Sequence, residues 1–132
     1  MTAAHAHAPH FALRTLPQVV AAALGMGTWA LWANLAHPWP EPLRAALVQA
    51  ALSATFTLVL KRVVEALAAR LGTAAVAVAP LACATLSASA LGLVHTLAGT
   101  PEVLATLAVP ATVTTCYAIT YALALLRAGA AP

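Results

Sequence analysis

The chain is short of charge, and shortest of acid. Only 7% of its 132 residues are charged, the sole carboxylates are Glu41, Glu65 and Glu102, and aspartate is absent. With 63% hydrophobic residues, that leaves too little polar surface to keep a globule of this size in water, which excludes a soluble domain. The lack of acid also excludes chemistries. No carboxylate pair is available for general acid–base work or for magnesium. No Ser-His-Asp set, HExxH helix or glycine-rich phosphate loop occurs, so an enzyme is not expected and no cofactor is implied. Six Lys and Arg are too few for a nucleic-acid surface despite the net charge of +3. The two cysteines, Cys83 and Cys116, lie in apolar runs and form neither a disulfide framework nor a CxxC motif.

What the chain has instead is long apolar runs, about 16–36, 43–60, 73–98 and 102–126. A hydrocarbon layer of about 30 Å needs about 20 apolar residues in a helix, and each run meets or approaches that length. The expected fold class is an all-α integral membrane protein of four transmembrane helices arranged as two antiparallel hairpins. Residues 1–14 read as a disordered His/Ala-rich tail, 15–127 as the transmembrane domain and 128–132 as a short tail. Arg14 before an apolar run resembles a secretory signal, yet Asn34-Leu35-Ala36 is a poor cleavage site, so a retained first helix is expected. His5, His7 and His10 in the tail carry too little context to read as a metal site.

Charge sets the expected orientation. Arg14, Lys61, Arg62, Arg70 and Arg127 fall on one side of the four runs and Arg44 alone on the other. The positive-inside rule then places both termini in the cytoplasm, and Trp29, Trp32 and Trp39 cluster at the outer headgroup level. In a bacterium, which the alanine-rich composition suggests, the location is the inner membrane. Local signals mark the ends. Pro38, Pro40 and Pro42 stiffen the first connection; Gly99 ends the third helix; Thr100, Pro101 and Glu102 are expected to cap and open the fourth. The second helix runs on past the bilayer to Leu71, with Lys61 and Glu65 spaced for an ion pair and Lys61 and Arg62 free to snorkel.

Sliding the chain along itself aligns Pro40-Glu41 with Pro101-Glu102, Ser53 with Thr114 and Phe56 with Tyr117, which reads as two related hairpins, a parallel internal repeat. Small residues four apart predict close helix contacts through Gly25 in the first helix, Ala46, Ala50 and Ala54 in the second, and Ala84, Ala88 and Gly92 in the third. A polar stripe on the second helix, Gln49, Ser53, Thr57 and Lys61, together with Thr106, Thr114, Tyr117 and Tyr121 on the fourth, reads first as interhelical hydrogen bonding and second as the lining of a path. Pro80 and Pro110 predict kinks. Cys83 and Cys116 are expected opposite one another at mid-depth. His37, His95, Glu41 and Glu102 at the outer ends are the only candidate metal set, and a weak one, so no metal is expected.

Span number and length are similar to those of several small membrane families, small multidrug carriers among them. This first span lacks the membrane-embedded glutamate of those carriers, so the resemblance does not bring their ion coupling with it. The expected function is an accessory, assembly or stabilising subunit of a larger membrane complex. Its expected partners are the lipid bilayer and other membrane subunits or copies of itself, and no nucleic acid. The alternative is a small homo-oligomeric transporter or channel with a hydroxyl-lined path.

Overall fold

The computed structural model describes residues 8–129, with side chains from Thr15 onward; His5, His7 and the side chains of His10 and Arg14 lie outside that range. The described chain is helical almost throughout and holds no strand. It comprises α1 (Ala8–Ala33), α2 (Glu41–Leu71), α3 (Ala75–Leu97) and α4 (Val103–Arg127), with a 3-10 turn at Gly72–Ala74 between α2 and α3. Among the described residues three helical segments are long and apolar enough to cross a membrane: Thr15–Ala33, Val103–Arg127, and Glu41–Leu97, which includes both α2 and α3. Large side chains such as Leu24, Leu47, Leu81, Leu93 and Leu104 stand exposed on the surface. Such a coat marks a protein solvated by lipid or by other apolar helices.

Consecutive helices lie antiparallel. Gly27 of α1 meets Ala46 and Ala50 of α2 while Thr15 reaches Lys61, so α1 and α2 run in opposite directions. Gln49 pairs with His95 at one end of the α2–α3 contact, and at the other Leu60 and Val64 pack with Ala79 and Cys83. The same cluster brings in Ala118 and Ala122 of α4. One end of the bundle therefore carries the α1–α2 and α3–α4 connections (the loop end), and the other carries the α2–α3 turn (the terminus end). α2 and α4 run parallel, as two related hairpins require. Their contacts are offset, however: Tyr121, which the alignment pairs with Leu60, meets Glu65, more than one helical turn further along.

Local chemistry explains the boundaries, with three departures from expectation. Pro42 lies in the first turn of α2 with Glu41 beside it, where a missing N–H costs nothing and a carboxylate suits the helix dipole. Gly72 ends α2 at a φ of 54°. Gly99 ends α3 at φ 67°, and the Thr100 N–H reaches back to the His95 carbonyl at 2.9 Å, a Schellman-type closure. Thr100 does not cap α4. Its hydroxyl is held by the His95 ring, and α4 opens after Glu102 with no side-chain cap. Lys61 does not snorkel outward: it is buried, bonds the Thr15 hydroxyl at 3.2 Å and lies 5.9 Å from the Tyr121 ring. Glu65 instead takes Arg62, three residues back, at 3.4 Å.

Candidate functional site

Close packing is built on small residues, though not all the expected ones. A side-chain carbon on Gly27 would come within 3.1 Å of Ala50 Cβ and 3.2 Å of the Ala46 carbonyl oxygen, so only glycine lets α1 sit this near α2. Gly25 has nothing within 4 Å of the same position and lies exposed. On α3 the buried stripe is Ala75, Ala79, Cys83, Ser87, Leu91 and His95; Ala84 is half-buried and Ala88 exposed, while Gly92 faces Leu107 of α4. Ala46, Ala50 and Ala54 are all half-buried, the first two against Gly27. Cys83 is buried and Cys116 exposed, so the thiols do not face one another.

The polar stripe of α2 points into the bundle. Gln49 is fully buried and links α2 to α3: its amide nitrogen donates to Ser53 Oγ on its own helix at 2.9 Å, and its carbonyl oxygen accepts from His95 Nε2 at 2.7 Å. That contact places the ring proton on Nε2 and leaves Nδ1 to accept from the Thr100 hydroxyl at 2.8 Å. One continuous chain of hydrogen bonds therefore runs from the α3–α4 connection through His95 and Gln49 to Ser53. A second buried group pins α1 to α4. Asn34 donates to the Ala30 carbonyl and to Thr106 Oγ1 and accepts the Glu102 N–H, while Trp29 Nε1 donates to the Ala105 carbonyl. His37 Nε2 donates to Glu102 at 2.9 Å just outside that group, and Arg44 bonds the Gly99 carbonyl.

This geometry divides the candidate metal set. His37 and Glu102 meet, His95 is committed at both ring nitrogens to Gln49 and Thr100, and Glu41 joins neither. Among the described residues no group of three metal-ligating side chains forms.

Below the Gln49–His95 link lies a cavity of about 230 Å³ to which all four helices contribute. Its polar lining is Gln18, Ser53, Thr57, Ser87, Thr114 and Tyr117; Met26, Phe56, Leu60, Leu91 and Pro110 supply apolar wall. Pro110, which cannot donate to the Thr106 carbonyl, lies within α4 and lines the cavity. Several hydroxyl protons are already spent on the helices themselves. Thr57 donates to the Ser53 carbonyl and Ser87 to the Cys83 carbonyl, both at 2.7 Å, so each turns only lone pairs toward the space. Toward the terminus end the cavity is floored by Tyr117 stacked on Tyr121, ring centroids 5.4 Å apart, with the Tyr121 hydroxyl on Glu65 at 2.7 Å and Lys61 beside the ring.

Of the residues expected to line a path, Ser53 and Thr57 do line the cavity, Gln49 closes one end of it and Lys61 stands near the other. Gln18, Asn34 and Ser87 were not expected. Ser87 carried a signal, since it falls in four-residue register with Cys83, Leu91 and His95. The fold and cavity define a class, a helical protein with membrane-length apolar helices around a mainly apolar interior space that carries a few polar side chains. Compared with protein-family models, with curated proteins and with solved structures, the chain matches none of them.

Proposed function

We propose that the chain crosses the bacterial inner membrane four times with both termini in the cytoplasm, and that it is a small transporter that passes a small solute through its interior. The observation that carries this reading is the cavity between all four helices, with polar residues continuing from it toward both ends of the bundle: buried Gln49, His95 and Thr100 on one side, buried Lys61 with half-buried Tyr121 and Glu65 on the other. Buried polar groups at membrane depth are costly and are kept where they pair or face a hydrated or ligand-bearing space. The Gln49–His95 link and the Tyr117–Tyr121 stack serve as its two gates. No acidic side chain lines the cavity, which favours passive passage over ion-driven transport.

The test is cysteine accessibility. In a chain carrying Cys83→Ala and Cys116→Ser, cysteines introduced as Ser53→Cys and Thr57→Cys should both react with small water-soluble thiol reagents in the membrane. Protection of both would overturn the path.

A second reading, an accessory or stabilising subunit of a larger membrane complex, draws on a different observation. Ala21 and Gly25 lie exposed on α1, a small-residue surface that the bundle itself does not use. Gentle solubilisation and intact-mass analysis decide it: defined larger subunits at a fixed ratio support this role, and the chain alone or with its own copies removes it.

A further inference from the structure

We propose that the cavity binds a compact, neutral, largely apolar molecule carrying an acceptor oxygen such as a carbonyl, admitted between α1 and α4; this rests on reading the cavity as the working site. Three observations set the class of ligand.

Size comes first. A cavity of about 150 Å³ is enough to admit benzene, so about 230 Å³ takes a substituted six-membered ring or a short branched chain rather than a lipid tail or a peptide. Charge comes second. Among the described residues no Lys, Arg, His, Asp or Glu lines the space, and an ion stripped of water there would meet no counter-charge from them. A neutral molecule meets no such cost.

Polarity comes third. Among the described residues the Tyr117 hydroxyl and the Thr114 hydroxyl, both on the cavity wall, have no hydrogen-bond partner, whereas the Thr57 and Ser87 hydroxyls donate to their own helices. These two unpaired hydroxyls lie together on α4, within one turn of each other, and with the unspent Ser53 proton and the Gln18 amide across the space they offer donors to an acceptor. The mouth follows from how α1 meets α4. Among the described residues, the hydrogen bonds between these two helices and their flanks, from Trp29, Asn34 and His37, are at the loop end. Further down, Gln18 of α1 and Val113 of α4 are at once cavity-lining and exposed, so the space opens sideways between these two helices.

The test uses 4-fluoroacetophenone as a probe, followed by fluorine NMR with the full chain in lipid nanodiscs. Two analogues accompany it: 4-fluorotoluene, with the ring but no acceptor, and 4-fluorobenzoate, of similar size but charged. The expected result is a saturable bound resonance for the ketone, with about tenfold tighter binding than for 4-fluorotoluene, the size of one net hydrogen bond, and none for the benzoate. Ala22→Phe, which fills the mouth, should abolish the bound signal. Tyr117→Phe with Thr114→Val, which preserves shape, should lower the ketone to the level of 4-fluorotoluene.

The proposal fails if the ketone signal matches that of empty nanodiscs, if the benzoate binds equally well, or if neither set of substitutions changes binding. Ketone binding with Ser53→Cys and Thr57→Cys both protected would keep the ligand site and remove the path. Reactive cysteines without saturable ketone binding would keep the path and overturn the ligand class.

Discussion

Gln49 has the most demanding position of any single residue. Fully buried, it is the one side chain that satisfies both the His95 ring and the Ser53 hydroxyl. Gln49→Leu keeps the volume but leaves the His95 Nε2–H facing an apolar group, a loss of about 1–3 kcal/mol for an unsatisfied buried donor. The double variant Gln49→Leu with His95→Leu removes both partners and should recover much of that loss, because an intact apolar pair costs less than half a polar one. Unfolding of the purified protein by titration with a denaturing detergent reads both. Additive losses in the double variant would mean that the two residues do not act as a pair. The same logic applies to Asn34, which has one bond within α1, one to Thr106 and one from the Glu102 N–H. Asn34→Leu should cost a similar amount and loosen α1 from α4 at the loop end.

Among the elements, α1 is the one whose orientation most depends on its neighbours. Its close contact with α2 passes through Gly27. Gly27→Leu forces the helices apart and should destabilise the bundle by about 1–3 kcal/mol, as overpacking does in well-filled interiors. Gly25→Leu, on the exposed face, should change stability by no more than about 0.5 kcal/mol in the same detergent titration. Equal losses from the two substitutions would mean that α1 is rotated from the position described.

That contrast also shows what could be read from the chain beforehand. Helix positions followed from apolar run length and from Pro and Gly at the ends, and the inward turn of α2 followed from four polar residues at four-residue spacing. On α1 almost every face is apolar, so periodicity carries no rotational information; Trp29 and Asn34 set the rotation by bonding α4, a tertiary effect. On α3, alanines at 84 and 88 are as suitable for packing as their neighbours, and the buried stripe is chosen instead by His95 finding Gln49. The cavity lies between side chains of all four helices, below the hydrogen bonds that join α1 to α4. No residue pattern in one helix encodes a space between two.

At the scale of the whole molecule, two facts need one explanation. Leucines cover the outside, while no buried side-chain nitrogen or oxygen among the described residues lacks a partner. That is how a chain behaves when its solvent is hydrocarbon, which offers no hydrogen bond to replace a missing one. The segment Glu41–Leu97 leaves a choice, since by length and composition it is one apolar stretch. Yet it folds back at Gly72–Ala74 so that Gln49 and His95 meet, with Arg70 beside that turn and Lys61 and Arg62 about three helical turns up α2 from it. The proposed arrangement, two crossings with the turn in the cytoplasm, would account for both the contact and the charges.

Cysteine labelling of intact cells with a membrane-impermeant maleimide separates the possibilities, in a chain carrying Cys83→Ala and Cys116→Ser. Pro38→Cys and Thr96→Cys, both at exposed positions of the loop end, should label from outside, and Arg70→Cys only after the cells are permeabilised. If Glu41–Leu97 instead crossed once, positions 38 and 96 would label from opposite sides. If the whole bundle were inverted, all three results would exchange. Only the first pattern is compatible with a cavity whose gate of Gln49 and His95 faces outward and whose tyrosine floor faces the cytoplasm.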